Sequence, residues 1–139
     1  MFNLILIIAL HLLPHQHKNF VNDNSNTLTS TQINFLLRKM DYLNGRNHFH
    51  YAIIFQNIDI PIETFALGAI QDWDPDDGVL IIINTLNNTV RLETGFNVQK
   101  SVSDDKAMKI LQKSMDHTIT SHYFMDGVND ILNQFESIK

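Results

Sequence analysis

The 139-residue sequence contains no cysteine. Disulfides, thiolate metal sites and cysteine nucleophiles are therefore excluded, and redox chemistry marks no compartment. Positive charge is scarce as well: ten Lys and Arg stand against fifteen Asp and Glu, for a net charge of −5 and a pI near 5.7. Without a dense basic cluster there is no means of neutralising many phosphates, so a DNA or RNA partner is disfavoured. A membrane span of about 20 apolar residues is also missing. The apolar run from Leu4 to Leu10 resumes at Leu12-Leu13, but His11 breaks it. The chain has no repeats, no Gly-rich phosphate loop, no Gly-x-Ser-x-Gly elbow and no EF-hand spacing.

The length fits one domain, large enough to bury a core unaided. Residues 1–19 read as an apolar leader and linker, and residues 20–139 as the domain. The leader resembles the core of a secretory signal, but it lacks the basic residues before that core and the small-x-small cleavage site after it. It is read as a degenerate or truncated export signal, which predicts an extracytoplasmic protein whose leader stays out of the core.

The stretch that organises the domain runs from Asp74 to Asn97. Asp74-Pro75-Asp76-Asp77-Gly78 is an acidic turn, and Val79 to Ile83 is a β-branched run suited to a strand covered on both faces. From Thr89 the pattern alternates, Val90 and Leu92 on one face, Arg91 and Glu93 on the other. A two-residue hairpin turn centred on Asn87-Asn88 would set Val79 opposite Phe96 and Gly78 opposite Asn97. Upstream, Thr29 and Gln32 form a capping box for a helix to about Asn44, with Gly45 as its left-handed cap. His50 to Gln56 has strand composition. Pro61 opens a helix whose Ile62, Phe65, Ala66, Ala69, Ile70 and Trp73 fall on one stripe. That strand, helix and Val79 strand make a βαβ unit with parallel strands and a right-handed crossover. Ser103-Asp104-Asp105 starts a helix that buries Ala107, Ile110, Leu111 and Met115 and ends near His117. A final helix carries Tyr123, Phe124, Gly127, Val128, Ile131, Leu132 and Phe135 nearly to Lys139. The expected fold class is α/β: a single-domain α/β/α sandwich with a small mixed sheet, the βαβ unit plus an antiparallel hairpin strand.

In order, Val21-Asn22-Asp23, Thr29 to Gln32, Trp73, Asp77-Gly78-Val79-Leu80, Gly95-Phe96-Asn97, Ser103-Asp104 and Phe124-Met125-Asp126-Gly127 resemble the TPM domain family. The likeness covers about residues 20 to 136. One departure is Gly95-Phe96-Asn97, where the family has Gly-Tyr-Gly. The resemblance implies an exported accessory or binding module that aids assembly or quality control of envelope or membrane proteins through a protein partner. It also implies a link to divalent metals and, in plant members, to acid phosphatase activity.

Two readings of the acidic segment stand side by side. Asp74, Asp76 and Asp77 supply oxygen ligands of the kind a hard cation such as Ca²⁺ takes, about 6–8 in all. With the hairpin centred as above, main-chain oxygens of Gly95, Phe96 and Asn97 join them, and the family pattern adds Asp23. The expected metal ligands are then Asp23, Asp76 and Asp77, with Gly95, Phe96 and Asn97 as the ligand-binding segment and Phe96 as an apolar wall. On the other reading Asp-Pro-Asp-Asp-Gly is only a turn. His15 with His17 and His48 with His50 have the i, i+2 spacing of a shared strand face, yet no further zinc ligands stand at suitable spacing; His117 and His122 read as a helix cap and a loop residue. Arg91 reads as an ordinary exposed strand residue. The alternative function is a metal-dependent phosphatase acting on phosphomonoesters, for which no catalytic residue is assigned.

Overall fold

A computed structural model describes residues 18–120 and 124–138, with backbone only for residues 115–120. The His15–His17 pair, the leader, Tyr123 and His122 lie outside the described residues, as do the Met115 and His117 side chains. Four strands, β1 (Phe20–Asp23), β2 (His50–Gln56), β3 (Gly78–Asn84) and β4 (Thr89–Thr94), form one sheet in the order β1-β2-β3-β4. β1, β2 and β3 run parallel to one another and β4 is antiparallel to β3. The helices are α1 (Ser30–Asn47), α2 (Ile62–Trp73), α3 (Asp104–Thr120) and α4 (Phe124–Phe135). Among the described residues no helix is long and apolar enough to cross a membrane.

Alternation along the central strands splits the core in two. Tyr51, Ile53 and Phe55 of β2 and Val79, Ile81 and Ile83 of β3 face α1, α3 and α4, in a cluster that takes in Leu36, Ile110 and Leu132. Ala52, Ile54, Leu80 and Ile82 face α2, where Phe65, Ala66, Ala69, Ile70 and Trp73 are buried. The α/β/α sandwich with a mixed sheet is thus as expected, with one strand more. Phe20–Asp23 pairs in parallel with Ala52–Phe55 and makes a second βαβ unit through α1. Four residues carry too little pattern to be recognised alone; contact with β2 makes them a strand.

The capping box is present, with Gln32 N–H on Thr29 Oγ1 at 3.1 Å and Thr29 N–H on Gln32 Oε1 at 2.9 Å. Ser103 caps α3 through Lys106 N–H at 3.2 Å. The far ends differ from expectation. α1 does not stop at Gly45; it runs to Asn47, and His48 takes the left-handed φ of 64°. Asn47 holds it there, because its buried amide bonds Tyr51 Oη at 2.7 Å and Phe135 O at 3.3 Å. α3 continues past His117 to Thr120, and α4 stops at Phe135, where a turn buries Ile138.

The hairpin is two residues off the expected register. Ile83 pairs with Val90 and Asn84 with Thr89, around the four-residue connection Thr85 to Asn88, and Val79 meets Thr94 rather than Phe96. Within that connection only Asn88 takes a positive φ, 58°, whereas a two-residue primed turn requires it at both central positions or at the first. Gly78 therefore lies opposite Gly95, whose N–H donates to Gly78 O at 2.8 Å. A side chain at Gly95 has no space, since its Cβ would stand 2.5 Å from Asp76 O and 2.8 Å from Pro75 O, both backbone atoms.

Two outcomes follow for stability. Gly95→Ala is expected to cost roughly 1–3 kcal/mol, read from urea unfolding, because the loop must move to admit the methyl. Tyr51 is buried, and burial raises its phenol pKa well above the ordinary value while the Asn47 bond works the other way. The raised folded pKa means that this contribution is fully present below the unfolded value of about 10 and is lost as pH climbs from there through the folded value. Urea unfolding across that range should show a loss of stability in wild type that Tyr51→Phe reduces.

Candidate functional site

The site is built where α2 stops. Pro75 disfavours helical geometry at the residue before it, and Asp74 accordingly leaves the helix at φ −153° and ψ 82° with its N–H still on Ile70 O. Its side chain turns inward and is fully buried. A carboxylate removed from water must be paired or hydrogen-bonded. Asp74 Oδ1 accepts Asp77 N–H at 3.0 Å, and Oδ2 lies 2.8 Å from His50 Nδ1 at the start of β2. His50 N–H also donates to Asp77 O at 3.0 Å, so the acidic loop and β2 are joined by main chain and side chain together.

The second wall is Gly95 to Asn97. Phe96 N–H donates to Pro75 O and Asn97 N–H to Asp76 O, both at 2.8 Å, beside the Gly95 to Gly78 bond. Asn97 Nδ2 reaches Asp77 Oδ1 at 2.9 Å. The segment, expected to offer main-chain oxygen to the loop, offers main-chain N–H toward Gly78, Pro75 and Asp76. Its amides face the loop, while Gly95 O accepts from Gln99 N–H and Asn97 O from Lys100 N–H as the chain enters the short 3₁₀ turn Val98–Lys100.

The predicted ligands are not all brought together. Asp77 is half-buried at the site, and Asp76 stands beside it with an exposed side chain. Asp23 is at the other end of the sheet. It pairs with Phe55, whereas His50 pairs with Gly78, so five residues of strand separate them, about 16 Å at about 3.3 Å each. There Asp23 accepts Thr27 N–H at 3.0 Å and Leu28 N–H at 2.7 Å, shaping the loop into α1. Phe96 is 66 % exposed, with Lys100 Nζ 5.1 Å from its ring centroid. Trp73 is core, edge-on to Phe20 at 5.4 Å. Arg91, expected to be exposed, is half-buried and pairs with Glu93 at 3.2 Å.

The cluster that does assemble is His50, Asp74 and Asp77, whose ligand-type atoms lie within 4.8 Å of one another. His48 does not share a strand face with His50, because it sits in the left-handed cap of α1. Sequence reasoning noted His50 only as half of that pair. Its position one strand before an Asp-Pro-Asp-Asp-Gly turn, in parallel register, was the signal available. One imidazole and two carboxylates suit a divalent transition ion in donor type.

Several solved structures share this fold, three of them as follows. The N-terminal domain of a protein from P. gingivalis matches at TM-score 0.72 and 19% identity, over 84% of this chain and 78% of that one. The N-terminal domain of a Corynebacterium glutamicum protein matches at 0.65 and 13%, over 89% and 80%. A protein from the psychrophilic bacterium Bizionia argentinensis matches at 0.59 and 14%, over 81% and 86%. No curated protein matches the chain. At these identities the likeness carries the fold alone, but the profile of the TPM domain matches residues 21–138, and the chain belongs to the TPM domain family.

Proposed function

We propose that this chain is an extracytoplasmic, non-catalytic binding module that aids assembly or quality control of envelope or membrane proteins, and that His50, Asp74 and Asp77 hold one divalent cation at its acidic end. The carrying observation is the buried Asp74 carboxylate, fixed on His50 Nδ1 and on Asp77 N–H. The Asp74 carboxylate and the His50 imidazole already stand side by side, so a cation would replace the proton they share, and it would also offset the repulsion between the Asp74 and Asp77 carboxylates. Imidazole among the donors favours a transition ion such as Zn²⁺ over the Ca²⁺ expected from oxygen ligands alone. Asp23 has no part in this ligand set. The exposed Phe96 beside the cluster is the apolar surface on which a protein partner would rest, and the apolar leader supports export.

The test is thermal unfolding with Mn²⁺, Zn²⁺, Ca²⁺ or chelator, in wild type, His50→Gln and Asp77→Asn. A cation that binds only the folded state adds roughly 2.7 kcal/mol at a hundredfold excess over Kd. The expected result is a midpoint raised in wild type and unmoved in both variants. Equal shifts in all three, or none in wild type, would leave the cluster as an ion pair that only secures the loop. In the same samples a generic phosphomonoester should not turn over; steady, cation-dependent hydrolysis lost in Asp77→Asn would replace this reading by a metal-dependent phosphatase.

A further inference from the structure

We infer that the chain forms a two-fold symmetric dimer in which β4 of one copy pairs antiparallel with β4 of a second, joining two sheets edge to edge. The inference is independent of the cation reading and starts from the ladder. Gly95 N–H on Gly78 O makes that pair hydrogen-bonded. By the alternation of an antiparallel pair, Leu80 with Glu93 and Ile82 with Arg91 are hydrogen-bonded too. The main-chain groups of Val90, Leu92 and Thr94 therefore point away from β3. No strand lies on that side among the described residues. Leu92 itself is 4 % exposed, so the side chains that line the groove with it, Gln99 and Met108 among them, must swing aside for a strand to reach its amide and carbonyl.

The sequence of the edge is complementary to itself. With Leu92 opposite Leu92 of the second copy, Val90 meets Thr94 and Arg91 meets Glu93. Every outward-facing residue then faces another outward-facing residue, as antiparallel hydrogen bonding requires. Both charged positions meet their opposites, the arrangement that favours cross-strand pairing. Arg91 Nη2 reaches Glu93 of its own chain at 3.2 Å, and with the two side chains 32 % and 16 % exposed both charges stay within reach of a second copy. A two-fold contact of this kind closes on itself and leaves no edge for further growth at β4. Beside the edge runs a groove of about 300 Å³ lined by Arg91, Glu93, Asp104 and Met108 among others, with Met108 51 % exposed. Thr94 O already accepts Gln99 Nε2 at 3.1 Å, and a carbonyl has a second lone pair for the new strand.

Light scattering on the full chain after size exclusion tests the inference. Wild type should show twice the monomer mass of 16.0 kDa. Arg91→Glu and Glu93→Arg each place like charges opposite one another twice, and each alone should weaken association by about tenfold or more. Mixed in equal amounts, the two variants should regain the dimer mass, because every 91–93 contact between them is again of opposite sign. Amide exchange read by NMR on wild type supplies a readout without substitution: the Val90 and Leu92 amides should slow as concentration rises. A wild type monomeric at every reachable concentration overturns the inference. So do single variants that dimerise as well as wild type, or a mixture that stays monomeric although circular dichroism shows both variants folded.

Discussion

The acidic end of the sheet depends on one buried carboxylate. Asp74 has no exposed surface, so water cannot solvate it, and its environment must supply the hydrogen bonds that keep its charge tolerable. Those bonds come from two directions. Asp77 N–H closes the turn into β3, and His50 Nδ1 brings in the start of β2. The end of α2, the first residue of β2 and the turn before β3 are thereby held in one arrangement. Breaking any of these contacts leaves a buried carboxylate short of partners, which costs much more than the contact itself contributes.

The same constraint determines what the site can present. Because Asp74 holds the turn, the carbonyls of Pro75 and Asp76 point at Gly95 to Asn97, whose amides fill them. Gly95 is needed because the two backbones approach too closely for a side chain. The loop carbonyls and the amides of this segment thus bond to each other, and the side chains gathered beside them are an imidazole, carboxylates and the Asn97 amide. That shift from carbonyl to imidazole moves the proposed ion from the calcium type toward the transition metals.

What was legible in the sequence follows the range of the interactions involved. The α2 stripe, the capping box of α1 and the alternation of β4 depend on neighbours within a few residues, and all could be read directly. The bounds of α1 could not, because glycine's preference for a left-handed cap at position 45 loses to the bonds Asn47 makes with Tyr51 and Phe135, distant in sequence. β1 was hidden for a similar reason, being a strand by virtue of β2. The site was legible only in part. Asp77 and Asn97 are joined as neighbours at one end of the sheet, but Asp23 was carried there by a family pattern that fixes order along the chain and not which end of a strand an acid occupies. Register with β2 places it at the opposite end.

The hairpin separates these two kinds of information. Moving the register by two residues leaves every β4 side chain on its original face, because side chains alternate with period two. Leu92 is therefore buried in either register, and hydrophobic patterning cannot tell the two apart. At the end of the strand the same shift changes everything, replacing Asn97 by Gly95 opposite Gly78 and with it the groups offered to the carboxylates. The outer edge behaves in the opposite way. A shift of two does not change which residues turn their main chain away from β3, so Val90, Leu92 and Thr94 form that edge whatever the turn, and the Arg91–Glu93 complementarity belongs to β4 alone. The acidic end is thus set by long-range geometry, whereas the proposed dimer edge is written in one strand's local sequence.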